Sequence, residues 1–410
     1  MSAITIGAKT VFTLMENSTL SPGNYVFRLW IPLGPYPPIC SADSLRVIIS
    51  DAMGCTRRVQ KKHSHKPPDP SRHFRSMGLE FLSATRAGVA SSYWNESMTL
   101  DILGIHHVTA ITGKPQANLD FYTRTLGLKL VKQTVNFDDP SSYHLYYGDG
   151  LGRPGTLLTF FLWPDVSPAT VGPGQTCSIT LAAPLAALSF WQQRLASHGV
   201  AVQRLPTSDG LDRLTFRDPD GISLEILADT ADQTDLAPTN ALIAPQFALR
   251  GIHAVTLLEP ALVPTRDFLQ ATFRFTSRGG STCELHSQTH DQQVTARIHL
   301  LEQRNQPRGR IGAGYIHHLA FRVADQPSQQ QWFQHLIAMK YNVSPIMDRV
   351  YFRSIYFREP GGVLLELATD GPGFTVDEPV EVLGKRLQLP AWLEAQRGSI
   401  MQTLPPIHFD

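Results

Sequence analysis

Gly104-Ile105-His106-His107-Val108-Thr109 returns later in the chain as Gly251-Ile252-His253-Ala254-Val255-Thr256. A second echo accompanies the first. Phe216-Arg217-Asp218-Pro219-Asp220-Gly221-Ile222-Ser223-Leu224-Glu225 is matched by Phe357-Arg358-Glu359-Pro360-Gly361-Gly362-Val363-Leu364-Leu365-Glu366. The first motif reads as an opening strand. The second reads as a turn, Pro-Asp-Gly or Pro-Gly-Gly, that feeds a closing strand. Marks that recur in this way signal a repeated supersecondary unit.

Between the marks lie amphipathic helices. One is expected from an N-cap near Asn118 through Phe121, Tyr122 and Leu126, with a stop at Gly127. Another carries Leu185, Leu188, Trp191 and Leu195 at helical spacing and stops near Gly199. A third surrounds Trp332, Phe333, Leu336 and Ile337. Each unit is thus a strand, a helix and three strands, and four units fit, at roughly 103–165, 175–230, 249–303 and 314–370. The predicted fold class is α+β, with four βαβββ modules forming two open half-barrel clefts. Modules one and two are expected in a domain over 98–240, and modules three and four in one over 241–410 that ends in a tail.

Residues 1–97 have another texture. They hold Pro35, Pro37, Pro38, Pro67 and Pro68 and a basic run from Arg57 to Lys66, without a sustained period of 2 or 3.6. They read as a disordered or mis-assigned extension, with the functional chain beginning near Met98. Bulk composition narrows the function. At 42% hydrophobic and 17% charged, the 410 residues fit a globular protein. A formal net charge of +1 gives no overall attraction to nucleic acid or to an anionic membrane. Cys40, Cys55, Cys177 and Cys283 make no C-x-x-C pair, so neither a disulfide framework nor a thiolate zinc site is indicated. No apolar run is long enough to span a bilayer, and no secretory signal layout opens the chain. The expected setting is cytoplasmic. A homo-oligomer is left open.

Two His-His pairs, His106-His107 and His317-His318, stand in opening strands. Strand neighbours face opposite sides, so one histidine of each pair can enter a concave face while the other points behind it. Glu366, in the closing strand of module four, can face the same concavity. Two imidazoles and one carboxylate on one face of a metal leave positions for substrate and O₂, the arrangement of non-haem Fe(II) oxygenases. The repeats supply a control. Alignment sets Ala254 opposite His107 and Ser178 opposite His318, while Glu225 keeps the place of Glu366. One metal site, shared by modules one and four, is therefore expected, with the other cleft degraded.

These residues resemble the vicinal-oxygen-chelate superfamily, and within it the hydroquinone ring-cleaving dioxygenases. The resemblance covers about 98–410. Its best motifs are Gly104 to Thr109, Tyr315-Ile316-His317-His318-Leu319-Ala320-Phe321, and the run from Asp348 to Gly362 that includes Arg349-Val350-Tyr351-Phe352-Arg353. The resemblance implies iron ligands at His107, His318 and Glu366. It implies supporting or substrate-contacting roles for His106, Thr109, His317, Arg349 and Tyr356. The expected cofactor is Fe(II), with Mn(II) as the alternative, and the expected partners are a small aromatic substrate and O₂, with no nucleic acid or membrane. Two rivals share the fold. A glyoxalase-like isomerase usually needs a fourth protein ligand, and a resistance-type binding protein needs no triad.

Overall fold

The computed structural model describes residues 100–409, apart from 207–211, 230–241, 278–282 and 289–293, together with four short strands nearer the N-terminus. The chain divides into two units, Met1–Ser97 and Met98–Asp410. In the first, β1 (Ile4–Thr5), β2 (Val11–Phe12), β3 (Ile48–Ser50) and β4 (Thr56–Arg58) pair in the order β2-β1-β3-β4. The rest of the expected extension lies outside the described residues, as does the domain boundary expected at 240.

The second unit holds four βαβββ modules. Module one is β5 (Ile105–Thr112), α1 (Pro115–Asp120), β6 (Lys129–Asn136), β7 (Asp139–Gly148) and β8 (Leu157–Leu162). Module two is β9 (Gln175–Pro184), α2 (Leu188–Ser197), β10 (Gln203–Pro206), β11 (Asp212–Arg217) and β12 (Ser223–Asp229). Module three is β13 (Ile252–Glu259), α3 (Leu262–Phe273), β14 (Thr276–Ser277), β15 (Cys283–Gln288) and β16 (Val294–Glu302). Module four is β17 (Ile316–Val323), α4 (Gln326–Ala338), β18 (Met347–Asp348), β19 (Arg353–Arg358) and β20 (Leu364–Thr369). In every module the opening strand runs parallel to the closing strand.

Opening strands join the modules in pairs. β5 lies antiparallel to β17, joining modules one and four, and β9 lies antiparallel to β13, joining two and three. Both junctions therefore connect modules from opposite sides of residue 240. A single bridge, Ile316 to Thr176, links the two halves into one sixteen-stranded sheet. Gly104 and Gly251 enter their strands at φ +139° and +109°. A Cβ there would stand 2.8 Å from the Thr295 carbonyl oxygen and 2.7 Å from that of Gly155, so the echoed glycines answer one steric demand.

Two helix readings need correction. The first helix begins at Pro115, a residue suited to the first turn, and continues as a π-turn over Phe121–Thr125. Asn118 is not its cap. It is buried, and its Oδ1 accepts a hydrogen bond from Tyr147 Oη at 2.9 Å. Leu185 is exposed in a 3₁₀ turn before α2, whose buried stripe is Leu188, Trp191 and Leu195. In α4 the buried stripe is Gln329, Trp332 and Leu336. After β20 the chain returns to module one. Lys132 of β6, fully buried, pairs with Asp377 at 2.6 Å and with Glu378. Leu389, Leu393, Ile400 and Leu404 then pack on Val135, the last two from or beside α5 (Arg397–Thr403).

Candidate metal centre

His107 of β5, His318 of β17 and Glu366 of β20 meet in the cleft of modules one and four. His107 Nε2 stands 3.2 Å from His318 Nε2. Glu366 Oε2 stands 3.3 Å from the first nitrogen and 3.0 Å from the second. Strand register brings them together, because Ala320 lies beside both His107 and Glu366, and His318 lies beside Thr109. In the other cleft Thr180 lies beside Ala254 and Glu225, and Ser178 lies beside Thr256. Ala254, Ser178 and Glu225 thus occupy the triad's places, as the repeat alignment predicts. Glu225 there accepts from Thr180 Oγ1 at 3.1 Å, and His253 faces Asp229 at 3.1 Å.

The paired histidines sit on β-bulges, which simple strand alternation does not foresee. On β5 the pairing steps from His107 to Ile105 while β17 advances one residue, so His106 is the extra residue. On β17 it steps from Ile316 to His318, so His317 is extra. Each bulged histidine touches its triad neighbour: His106 Nδ1 lies 2.9 Å from His107 Nδ1, and His317 Nδ1 lies 2.8 Å from His318 Nδ1. His106 Nε2 faces the Thr369 carbonyl at 3.2 Å, so that nitrogen carries the proton and its Nδ1 accepts. His107 Nδ1 is then the donor, and its Nε2 lone pair is left aimed at the triad.

The donor set fits a metal ion. Glu366 Oε1 accepts from Ser354 Oγ at 2.5 Å, whereas Oε2 is buried without a hydrogen-bond partner. Burial would raise the carboxyl's pKa, but His107 and His318 beside it hold it well below the usual range. A buried anionic oxygen and two imidazole nitrogens converging on one point are a cation's ligands. Among the described residues this is the one cluster of three or more such groups.

The triad opens onto a cavity of about 220 Å³. His107, His318 and His317 border it from the strands, and Phe137, Phe161 and Phe352 supply aromatic walls. Arg349 and Tyr356 also line it. Arg349 donates from Nε to Tyr356 Oη at 3.2 Å and pairs through both terminal nitrogens with Asp138, at 3.1 and 2.8 Å. Burial works against the Arg349 charge, but Tyr356 and Asp138 outweigh it and raise its pKa. Burial and the adjacent His318 push His317 down to about 3, so its ring is neutral. Burial, ahead of Glu366, raises the Tyr356 hydroxyl.

Two of the expected site residues are placed elsewhere. His106 borders a separate cavity behind the strand, beside Phe374 and Asp370. Thr109 is buried behind the wall, with its Oγ1 2.7 Å from Thr159 Oγ1. Residues not singled out from sequence complete the lining: Asn136, Phe137 and Asp138 at the end of β6, His144 and Tyr146 on β7, Phe161, Met347, Phe352 and Leu364. The His144-x-Tyr146 spacing on a strand, which puts both on one face, was the available signal.

Known proteins place this geometry in a family. The Glyoxalase/Bleomycin resistance protein/Dioxygenase superfamily matches residues 104–226 and 268–367. MhqA of Bacillus subtilis, named as a candidate ring-cleaving dioxygenase, is 39% identical over 315 residues, which is 75% of this chain and all of that protein. A chlorohydroquinone/hydroquinone 1,2-dioxygenase of Sphingobium indicum is 32% identical over 314 residues, 73% of this chain and 95% of the other. A crystal structure of a candidate dioxygenase from Bacillus subtilis superposes with a TM-score of 0.71 at 38% identity, covering 75% of this chain and 98% of that one. A point variant of glyoxalase I from Zea mays, at 14% identity and a TM-score of 0.50 over 66% of this chain and 92% of that one, shares the fold alone. The chain belongs to the Glyoxalase/Bleomycin resistance protein/Dioxygenase superfamily and is an enzyme of its ring-cleaving dioxygenase group.

Proposed function

We propose that this enzyme holds Fe(II) at His107, His318 and Glu366 and opens the ring of hydroquinone-type diols with O₂. The observation that carries the reading is the triad's position on a small cavity with aromatic walls and a fixed guanidinium. A cavity of about 150 Å³ suffices for benzene, so about 220 Å³ suits one substituted ring. Bound Fe(II) would supply a Lewis acid for one ring hydroxyl and an open position for O₂.

The chain's own groups orient the reactants and meet the charge that develops. Phe137, Phe161 and Phe352 take the ring between apolar surfaces and exclude water. His318, bound through Nε2, donates from Nδ1 to His317 Nδ1, so His317 presents an Nε2–H to the cavity. That donor and the Tyr356 hydroxyl can each hold an oxygen that becomes anionic, and Arg349 adds a permanent positive charge. His106 fixes the orientation of His107 from behind. Thr109 acts at one remove, through Thr159, which in turn meets His144 Nε2 at 2.8 Å. A glyoxalase-like isomerase, which usually needs a fourth protein ligand, is disfavoured because among the described residues the cluster holds two histidines and one carboxylate.

The test is anaerobic loading with Fe(II), followed by oxygen-electrode traces against a panel of hydroquinones and catechols. Rapid uptake with hydroquinones is expected. Iron-loaded protein that consumes no O₂ with any diol, or that isomerises a thiohemiacetal instead, would overturn the proposal.

A further inference from the structure

Tyr146, buried, and His144, half-buried beside it on β7, form a pair in the cavity that the triad chemistry does not use. Tyr146 Oη lies 2.9 Å from His144 Nδ1, and His144 Nε2 lies 2.8 Å from Thr159 Oγ1, which continues to Thr109 Oγ1 at 2.7 Å. The chain of four groups can reverse its donors and acceptors together, since every hydroxyl and the imidazole can serve as either. Tyr146 Oη therefore keeps one unspent hydrogen-bonding position, offered as donor or as acceptor. Both rings are held from several sides: His144 by Tyr146 and Phe161, and Tyr146 by Phe374 and Tyr351.

Two of the other polar groups that line the cavity already have partners. Arg349 spends both terminal nitrogens on Asp138 and Nε on Tyr356. His317 is tied to His318 of the triad and serves the oxygen nearest to it. Resting on the reading of the site as a diol dioxygenase, we infer that Tyr146, positioned by His144, binds the second ring hydroxyl of the substrate, the one not held at the triad. The pair thus selects a neutral ring that carries two hydroxyls. A ring carboxylate would have to compete with Asp138 for Arg349, the one arginine or lysine among the described residues that line the cavity, and burial keeps both members of the pair uncharged.

Equilibrium binding tests this without turnover. Calorimetry under anaerobic conditions would compare hydroquinone, phenol and 2,5-dihydroxybenzoate on the wild-type protein and on Tyr146→Phe, which removes only the hydroxyl. Wild type should bind hydroquinone roughly fivefold or more tighter than phenol, a single hydrogen bond's worth. The advantage should vanish in Tyr146→Phe, with phenol affinity unchanged. His144→Gln, which can still hold Tyr146 Oη through its amide, should retain part of it. A hydroquinone preference that survives intact in Tyr146→Phe overturns the inference while leaving the diol reading in place. Equal affinity of wild type for 2,5-dihydroxybenzoate and hydroquinone also overturns it. Failure of wild type to bind any of the three rings would instead defeat the reading of the site on which the inference rests.

Discussion

His107 and Glu366 each spend one polar atom on a neighbour and leave the other facing the shared point, and His318 does the same through His317. Removing any one of the three should then leave too few ligands. His107→Ala, His318→Ala and Glu366→Ala are expected to lose stoichiometric iron, read by metal analysis after anaerobic loading, whereas Glu225→Gln should keep it. Full iron retention by Glu366→Ala would break the assignment. The groups that act on the reactants should separate differently. Arg349→Ala and His317→Ala are expected to keep iron and to lose kcat by roughly 10²-fold or more. A normal kcat in either variant removes that residue from the chemistry, and loss of iron makes its role structural. The candidate ligand set was legible because paired histidines and a repeated Pro-x-Gly turn are rare marks, and Ala254 and Ser178 gave an internal contrast. Alternation puts His144 and Tyr146 on one face but does not say which face, and it says nothing of Asp138. Polar residues on a hairpin look alike in sequence whether they face solvent or a cavity, and only the packing of the hairpin against the other strands decides.

At the scale of elements, the strand order explains how neighbours in sequence come to differ in role. Alternation alone would send His106 and His317 both behind the sheet. The bulges leave His106 at the rear cavity yet allow His317 to border the front one. A bulge depends on the partner strand's register, which the sequence of one strand does not carry. The misplaced start of α1 has a similar cause: Asn118 satisfies a buried tyrosine instead of a helix end. The echoed turns also set a stability term. Asp218, in the Asp-Pro-Asp-Gly turn, accepts from the amides of Ile222 and Asp220, at 2.7 and 3.0 Å, and from Tyr122 Oη at 3.2 Å. Burial nonetheless pushes its pKa from 3.8 up to about 7. The folded chain then holds a proton that the unfolded chain releases, so stability is highest below the unfolded value. It should fall by about 1.4 kcal/mol per pH unit as pH rises towards the folded value. Urea titrations across pH 4–7 should show that fall in wild type and a shallower one in Asp218→Asn. Matching slopes would contradict the account.

For the whole molecule, the βαβββ architecture is complete within 98–410, and the tail after β20 closes back on module one through Lys132, Asp377 and Glu378. No helix among the described residues is long and apolar enough to cross a membrane. A chain that starts at Met98 is therefore expected to fold, bind iron and turn over like the full chain. A truncated protein that fails to fold or loses activity would make residues 1–97 an integral part of the enzyme. Fold and module count could be read from the echoes because each repeat must bury the same faces. The pairing of modules into clefts needed the triad as a guide, since chain order alone suggests neighbours.

If the site at His107, His318 and Glu366 joins O₂ to an aromatic ring and opens it, the oxygen must appear in the product. Mass spectrometry of the product formed by iron-loaded enzyme from a hydroquinone under ¹⁸O₂ tests this most directly. A ring-opened acid carrying oxygen from ¹⁸O₂ is expected, with one O₂ consumed per ring, and no such product from Glu366→Ala. An intact ring, or a ring-opened product without label from ¹⁸O₂ in conditions that prevent exchange with water, would contradict it.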